Sequence, residues 1–183
     1  MFIAQKLRKE NITEYLLYMW QIEDLIRAFN LDIELINKQI IEPYPVSVDE
    51  KKTLYEWYES LIDMMRMEHV QKEGHLQINK NTIVQLDELH GLLLKSGIDA
   101  AYSAKFYHIL PLISQLRNQQ ENPHLSDIEI CFNFQYAIMI LRMKKTEITS
   151  ETQKAQAETA KYLILLAKNY TKYQNGDLRF DED

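Results

Sequence analysis

Residues 126–145 read SDIEICFNFQYAIMILRMKK. At 100° per residue, Ile128, Ile130, Phe132, Phe134, Tyr136, Ile138, Met139, Ile140 and Leu141 point in every direction around a helix axis. A helix that is apolar all round is a buried helix. Ser126 is followed three residues later by Glu129, the spacing of a capping box. The stretch therefore predicts a central buried helix over about 127–145. Such a helix needs a jacket of amphipathic partners.

The rest of the chain supplies that jacket. Apolar residues recur at helical spacing almost everywhere, and strand-type alternation is not sustained anywhere. A first helix covers about 3–29, with a possible break at Asn11. A second, about 32–41, is stopped by Pro43 and Pro45, which disfavour helical geometry just before them. Ser47 and Glu50 form another capping-box pair, opening a long third helix that runs to Gly74. A connector over 75–80 leads to a fourth helix, 81–95, with Gly97 just past its end. The fifth, 99–118, contains Pro111, which should bend or split it. The clearest loop is 119–125, with Asn122 and Pro123, ahead of the central sixth helix. Ser150 and Gln153 open a seventh that ends near Tyr173. The expected fold is all-α, one domain over 1–174 with six or seven helices around the central one. Residues 175–183, NGDLRFDED, read as an acidic, frayed tail.

Composition narrows the function classes. Four Gly and four Pro in 183 residues are too few for a turn-rich β fold. Twenty-one basic against 27 acidic residues give a net charge of −6, which argues against a phosphate-backbone binder. The single Cys excludes an internal disulfide and a multi-Cys zinc site. No signal peptide is visible, and no uncharged apolar run approaches the ~20 residues of a membrane helix. These features read as a cytoplasmic protein with no membrane and no nucleic-acid partner.

The opening segment reads FIAQKLR over 2–8 and then NITEYLLYMWQIEDLIR over 11–27. This resembles the N-terminal signature of an uncharacterised bacterial family of all-helical proteins about 180 residues long. The resemblance implies a soluble bacterial protein over essentially the whole chain. It carries no activity, cofactor or site residue with it.

Chemistry must therefore come from the residues. No glycine-rich nucleotide loop, HExxH or GxSxG pattern is present. Cys131 lies in the most apolar helix, where burial disfavours a thiolate, so it reads as a small core residue. No His has a Glu three residues before it, so the di-iron bundle pattern is missing. No catalytic residue, metal set or cofactor is assigned. Two charged pairs interrupt apolar arcs. Glu23 and Arg27 fall within the arc of the first helix beside Trp20 and, at i,i+4, are placed to pair with each other. Glu68 and His69 close the arc of the third helix; a carboxylate and an imidazole suit acid–base or ligand work, although neighbours diverge by about 100°. Arg142 follows Gln135 by one heptad on the central helix and is expected to be the most buried arginine, with Glu23 or Glu68 as its counter-ion. His90 lies inside the apolar arc of the fourth helix, while His108 projects away from that of the fifth. The lysines of the last helix read as a solvated face, with Glu158 pairing to Lys154.

Two functions remain. The first is a non-enzymatic protein-interaction module, a homo-oligomer. Its eleven Tyr, six Phe and two Trp exceed what one central helix can hide, and Tyr15, Tyr18, Tyr55 and Tyr58 sit at the margins of their arcs. The alternative is a small-molecule binder or enzyme. Its polar cleft would lie between the first, third and sixth helices, using Glu23, Arg27, Glu68, His69, Arg142 and Trp20.

Overall fold

A break at Asn11 divides the N-terminal segment into α1 (Phe2–Glu10) and α2 (Ile12–Ala28). The Asn11 side-chain oxygen accepts hydrogen bonds from the backbone N–H and hydroxyl of Thr13, at 3.2 and 2.7 Å, and so caps the new helix. Asp32 starts the next element the same way, accepting from the N–H groups of Glu34 and Leu35. Here α3 (Ile33–Ile36) continues into a π-helical turn, Asn37–Ile41, ahead of the two prolines.

The remaining helices are α4 (Val48–Met67), α5 (Gln77–Ser96), α6 (Ala100–Arg117), α7 (Asp127–Met143) and α8 (Ser150–Gln174). The structure is a computed structural model describing residues 1–119, 122 and 124–180. Among these the fold is all-α, as the periodicity predicts. No helix among them is long and apolar enough to cross a membrane. Residues 120, 121 and 123 of the expected 119–125 loop, and 181–183 of the tail, lie outside the described residues.

Ser47 and Glu50 complete a reciprocal capping box at the start of α4. At the start of α7, Ser126 caps the Glu129 N–H. The last helix is capped one residue earlier than its sequence suggests, by Thr149 through the Thr152 N–H. Pro111 lies inside α6 without splitting it. The third helix differs more: α4 ends at Met67, not Gly74. His69 takes a left-handed conformation, φ 58°, and the Val70 N–H bonds back to the Met65 carbonyl at 3.0 Å. That is a Schellman-type stop made by His rather than Gly. At the other end of the chain, Gly176 (φ 77°) reverses the backbone after α8, and Leu178 returns to bond the Lys172 carbonyl and bury its side chain.

The helices gather into two compact units. The first holds Met1–Lys9 and Glu14–Asn81, with a core that includes Leu16, Ile26, Leu61, Ile62 and Met65. The second holds Glu10–Thr13 and the chain from Thr82 onward, with Leu86, Tyr102, Phe132, Tyr162 and Leu166 at its centre. In this second unit the N-terminal half of α7 is buried on all sides: Ile128, Ile130, Cys131 and Phe132 are each fully enclosed. Burial pushes the Cys131 thiol up, away from any reactive thiolate.

Candidate functional site

The charged residues of α2 turn inward, but to different partners from those the i,i+4 spacing suggests. Glu23 is completely buried. Its carboxylate accepts from His75 Nδ1 at 2.5 Å, from the Leu76 N–H at 2.9 Å and from Asn79 Nδ2 at 2.7 Å. Trp20, one turn earlier, stacks on the His75 ring with centroids 4.1 Å apart and planes 13° from parallel. Arg27 pairs with Asp24 at 2.8 Å and donates to the backbone carbonyls of Val70 (3.1 Å) and Gly74. Glu23 and Arg27 therefore form two successive clasps on the connector over 69–76. Each binds backbone groups that no helix satisfies. This is the physical reason α4 stops early: the carbonyls of Val70 and Gly74 and the N–H of Leu76 are committed to α2.

The other expected site residues have surroundings of their own. Glu68 is the C-terminal cap residue of α4 and accepts the Gln77 N–H at 2.6 Å. His69 is exposed at the left-handed turn. Arg142 belongs to the second unit; it is exposed and bonds Gln156 Oε1 on α8 at 2.9 Å. Its expected burial is thus corrected. The stripe it shares with Gln135 is real, but α7 surfaces at its C-terminal end, where Met143 is also exposed. Gln135, one heptad earlier, is buried and exchanges hydrogen bonds with Gln156 at 2.8 and 2.9 Å. Of the four tyrosines expected at arc margins, Tyr18 and Tyr55 are half-buried. Tyr15 and Tyr58 are buried, and Tyr55 gives its hydroxyl to Glu34 at 2.8 Å.

A polar cluster that the spacing does not disclose lies in the core of the second unit. His90 Nδ1, Tyr102 OH and Tyr162 OH form a triangle with edges of 2.7, 2.9 and 2.9 Å. Burial lowers the His90 pKa and so favours the neutral imidazole, whose tautomer sets whether Nδ1 donates to a phenol or accepts from one. Both tyrosines are fully buried, which makes this an internal polar knot. Among the described residues, no group of three or more His, Cys, Asp or Glu is placed to hold a metal ion.

An exposed, largely uncharged surface lies between α6 and α8. On α6, Ala101, Ala104, Tyr107, His108 and Pro111 are all exposed and follow one another along a single stripe. None carries a fixed charge. Across from them Ile164 of α8 is 47% exposed, and Tyr107 is 61% exposed. Ala101, Ala104, Ile164 and Leu165 help to line an open groove of about 570 Å³. Its rim is ionic. Glu158 binds Lys105 and, at 2.7 Å, Lys161, with His108 Nε2 at 3.4 Å. The two lysines hold the Glu158 carboxyl down to about 2. Glu158 thus pairs across to α6 and one turn along α8, not with Lys154.

Over residues 1–177 the chain matches the family model described as a domain of unknown function (DUF4924). The chain belongs to this family. DUF4924 thus accounts for nearly the full length, both units included, and the all-helical fold expected of the relatives is the one observed. Comparison with curated proteins and with solved structures gives no match, so the reading of this DUF4924 chain rests on its own geometry.

Proposed function

We propose that the protein is a helical interaction module that self-associates through the α6–α8 face. The observation that supports this is the uncharged stripe of α6 lying open beside Ile164. Apolar side chains scattered singly on a surface need no explanation, but a contiguous patch rimmed by polar groups is the signature of a docking site. The occupant is a second copy of the chain. Ala101 and Ala104 let another helix approach closely, and the rim carries both signs: Lys105 and Lys161 against Glu158. A rim with charges of both signs suits a two-fold interface, in which the same patch meets itself. This reading places the protein in a reducing bacterial cytosol, where the lone buried Cys131 stays a thiol.

Hydrogen exchange at low and high protein concentration tests the face directly. The expected result is concentration-dependent protection on α6 and α8 that Ile164→Lys abolishes. Protection confined to other helices, or none, would count against this surface.

A further inference from the structure

A second site, independent of the α6–α8 face, lies in the first unit. α1, α2, α4 and the first turn of α5 line a cavity of about 230 Å³. Its apolar walls include Met19, Trp57 and Met64, and its polar residues include Gln5, Arg8 and Ser60, with Met1 and Tyr15 also in the lining. Gln5 and Arg8 are successive turns of one α1 face, and Trp57, Ser60 and Met64 share one face of α4. Polar and apolar lining are thus brought together by the helical repeat of two elements.

Arg8 is the unusual member. The other arginines of this unit are tied to acids and carbonyls: Arg27 to Asp24, Val70 and Gly74, and Arg66 to Asp63 and the Leu31 carbonyl. Arg8 has no carboxylate partner among the described residues. Its guanidinium instead lies over the ring of Tyr15, 5.6 Å from the centroid, at the cavity lining. Such a contact orients the fork and leaves its five N–H donors open. A planar fork with free donors is matched by a carboxylate.

We propose that this cavity binds a small amphipathic monocarboxylate, its head group on Arg8 with Gln5 and Ser60 alongside, and its apolar body between Trp57 and the two methionines. The volume sets the size. Drug-sized pockets run to roughly 300–1,000 Å³, whereas this one offers room for about seven or eight water-sized groups at roughly 30 Å³ each. A chain of about that many carbons fills it. Methionine walls adapt to such bodies because their side chains are unbranched and polarizable.

Calorimetric titration of the full chain with octanoate, and with octanamide as its neutral counterpart, tests this. The Trp57 indole N–H resonance serves as a local reporter. Octanoate should bind saturably at or below about 1 mM, shift the Trp57 resonance, and bind better than octanamide. Arg8→Gln should weaken octanoate roughly ten- to hundredfold, the range of a charge-assisted pair, while leaving octanamide unchanged. Ser60→Trp, at an exposed lining position, should close the cavity to both. The proposal is overturned if octanoate does not saturate, if the amide binds equally well, or if Arg8→Gln leaves octanoate affinity intact.

Discussion

Replacing Glu23 with alanine should cost the protein about 3–5 kcal/mol. The magnitude follows from what the change leaves behind. The Leu76 N–H and the Asn79 amide lose their acceptor in a site where Glu23 itself has no exposed surface. A buried donor stripped of its partner costs roughly 1–3 kcal/mol. Asn79 is fully buried, and its Oδ1 already lacks a partner among the described residues, so its amide would be left with nothing. The charge-assisted bond to His75 goes as well. Glu23→Gln keeps one acceptor oxygen and the side-chain volume, so about 1–2 kcal/mol is expected. Urea unfolding followed by tryptophan fluorescence is the assay, since Trp20 is stacked on His75 and reports from the site. Against a typical total of about 5–15 kcal/mol, the alanine effect is large. Amide exchange at Leu76 should accelerate in both variants. A loss below about 1 kcal/mol for Glu23→Ala would refute the reasoning, because the connector over 69–76 would then be held by something other than the α2 clasp.

Three further outcomes follow from the second unit. Burial, opposed by a hydrogen bond with Ser126, lifts Asp87 from 3.8 to about 6; its contribution to stability is therefore fullest below 3.8 and is lost as pH rises through about 6. Asp87→Asn should flatten the urea midpoint across that window and raise it at neutral pH. Glu158 has the opposite sign: hydrogen bonds from Lys105 and Lys161 lower it from 4.5 to about 2, so its contribution holds above 4.5 and is lost as pH falls through about 2. A carbon-13 carboxyl titration should find it ionised at pH 3.5, and shifted part of the way back toward its ordinary value by Lys105→Met. Tyr162→Phe removes a hydroxyl within 2.9 Å of both Tyr102 and His90 and should cost about 1–2 kcal/mol in thermal unfolding; an unchanged melting temperature would assign the knot no net stabilisation.

What the sequence made legible was local. The break at Asn11, the capping box at Ser47 and Glu50, the stop at Gly97 and the burial of Cys131 each depend on a few neighbouring residues, and each is observed. The misread features are set by residues distant in the chain. α4 ends at Met67 because Glu23 and Arg27, some fifty positions away, take the backbone of the following connector. Helical spacing put Glu23 and Arg27 on the inner face of their helix; it had no means of showing that each had a separate partner there. Arg142 shows another limit: a stripe gives the direction of a side chain, not the point at which a helix emerges from the core. Tyr15 and Tyr58 differ from the expected margin positions for a related reason, since packing that no single arc encodes covers them, while Tyr18 and Tyr55 are half-buried. Tyr102 and Tyr162 lie 60 positions apart, and only the fold brings them to His90. A uniformly uncharged exposed face on α6 was present in the spacing of Ala101, Ala104, Tyr107 and Pro111, but it is recognisable only once the buried face, Tyr102, Phe106, Ile109 and Ile113, is known.

Sedimentation equilibrium of the wild-type chain beside an Ala104→Glu, Ile164→Lys double variant tests the central claim most directly. At about 100 μM, well above the Kd of a micromolar dimer, the wild type should run at twice 21.8 kDa and the variant at the single-chain mass. A wild type that stays at one chain mass, or a variant that still doubles, would contradict self-association through α6 and α8.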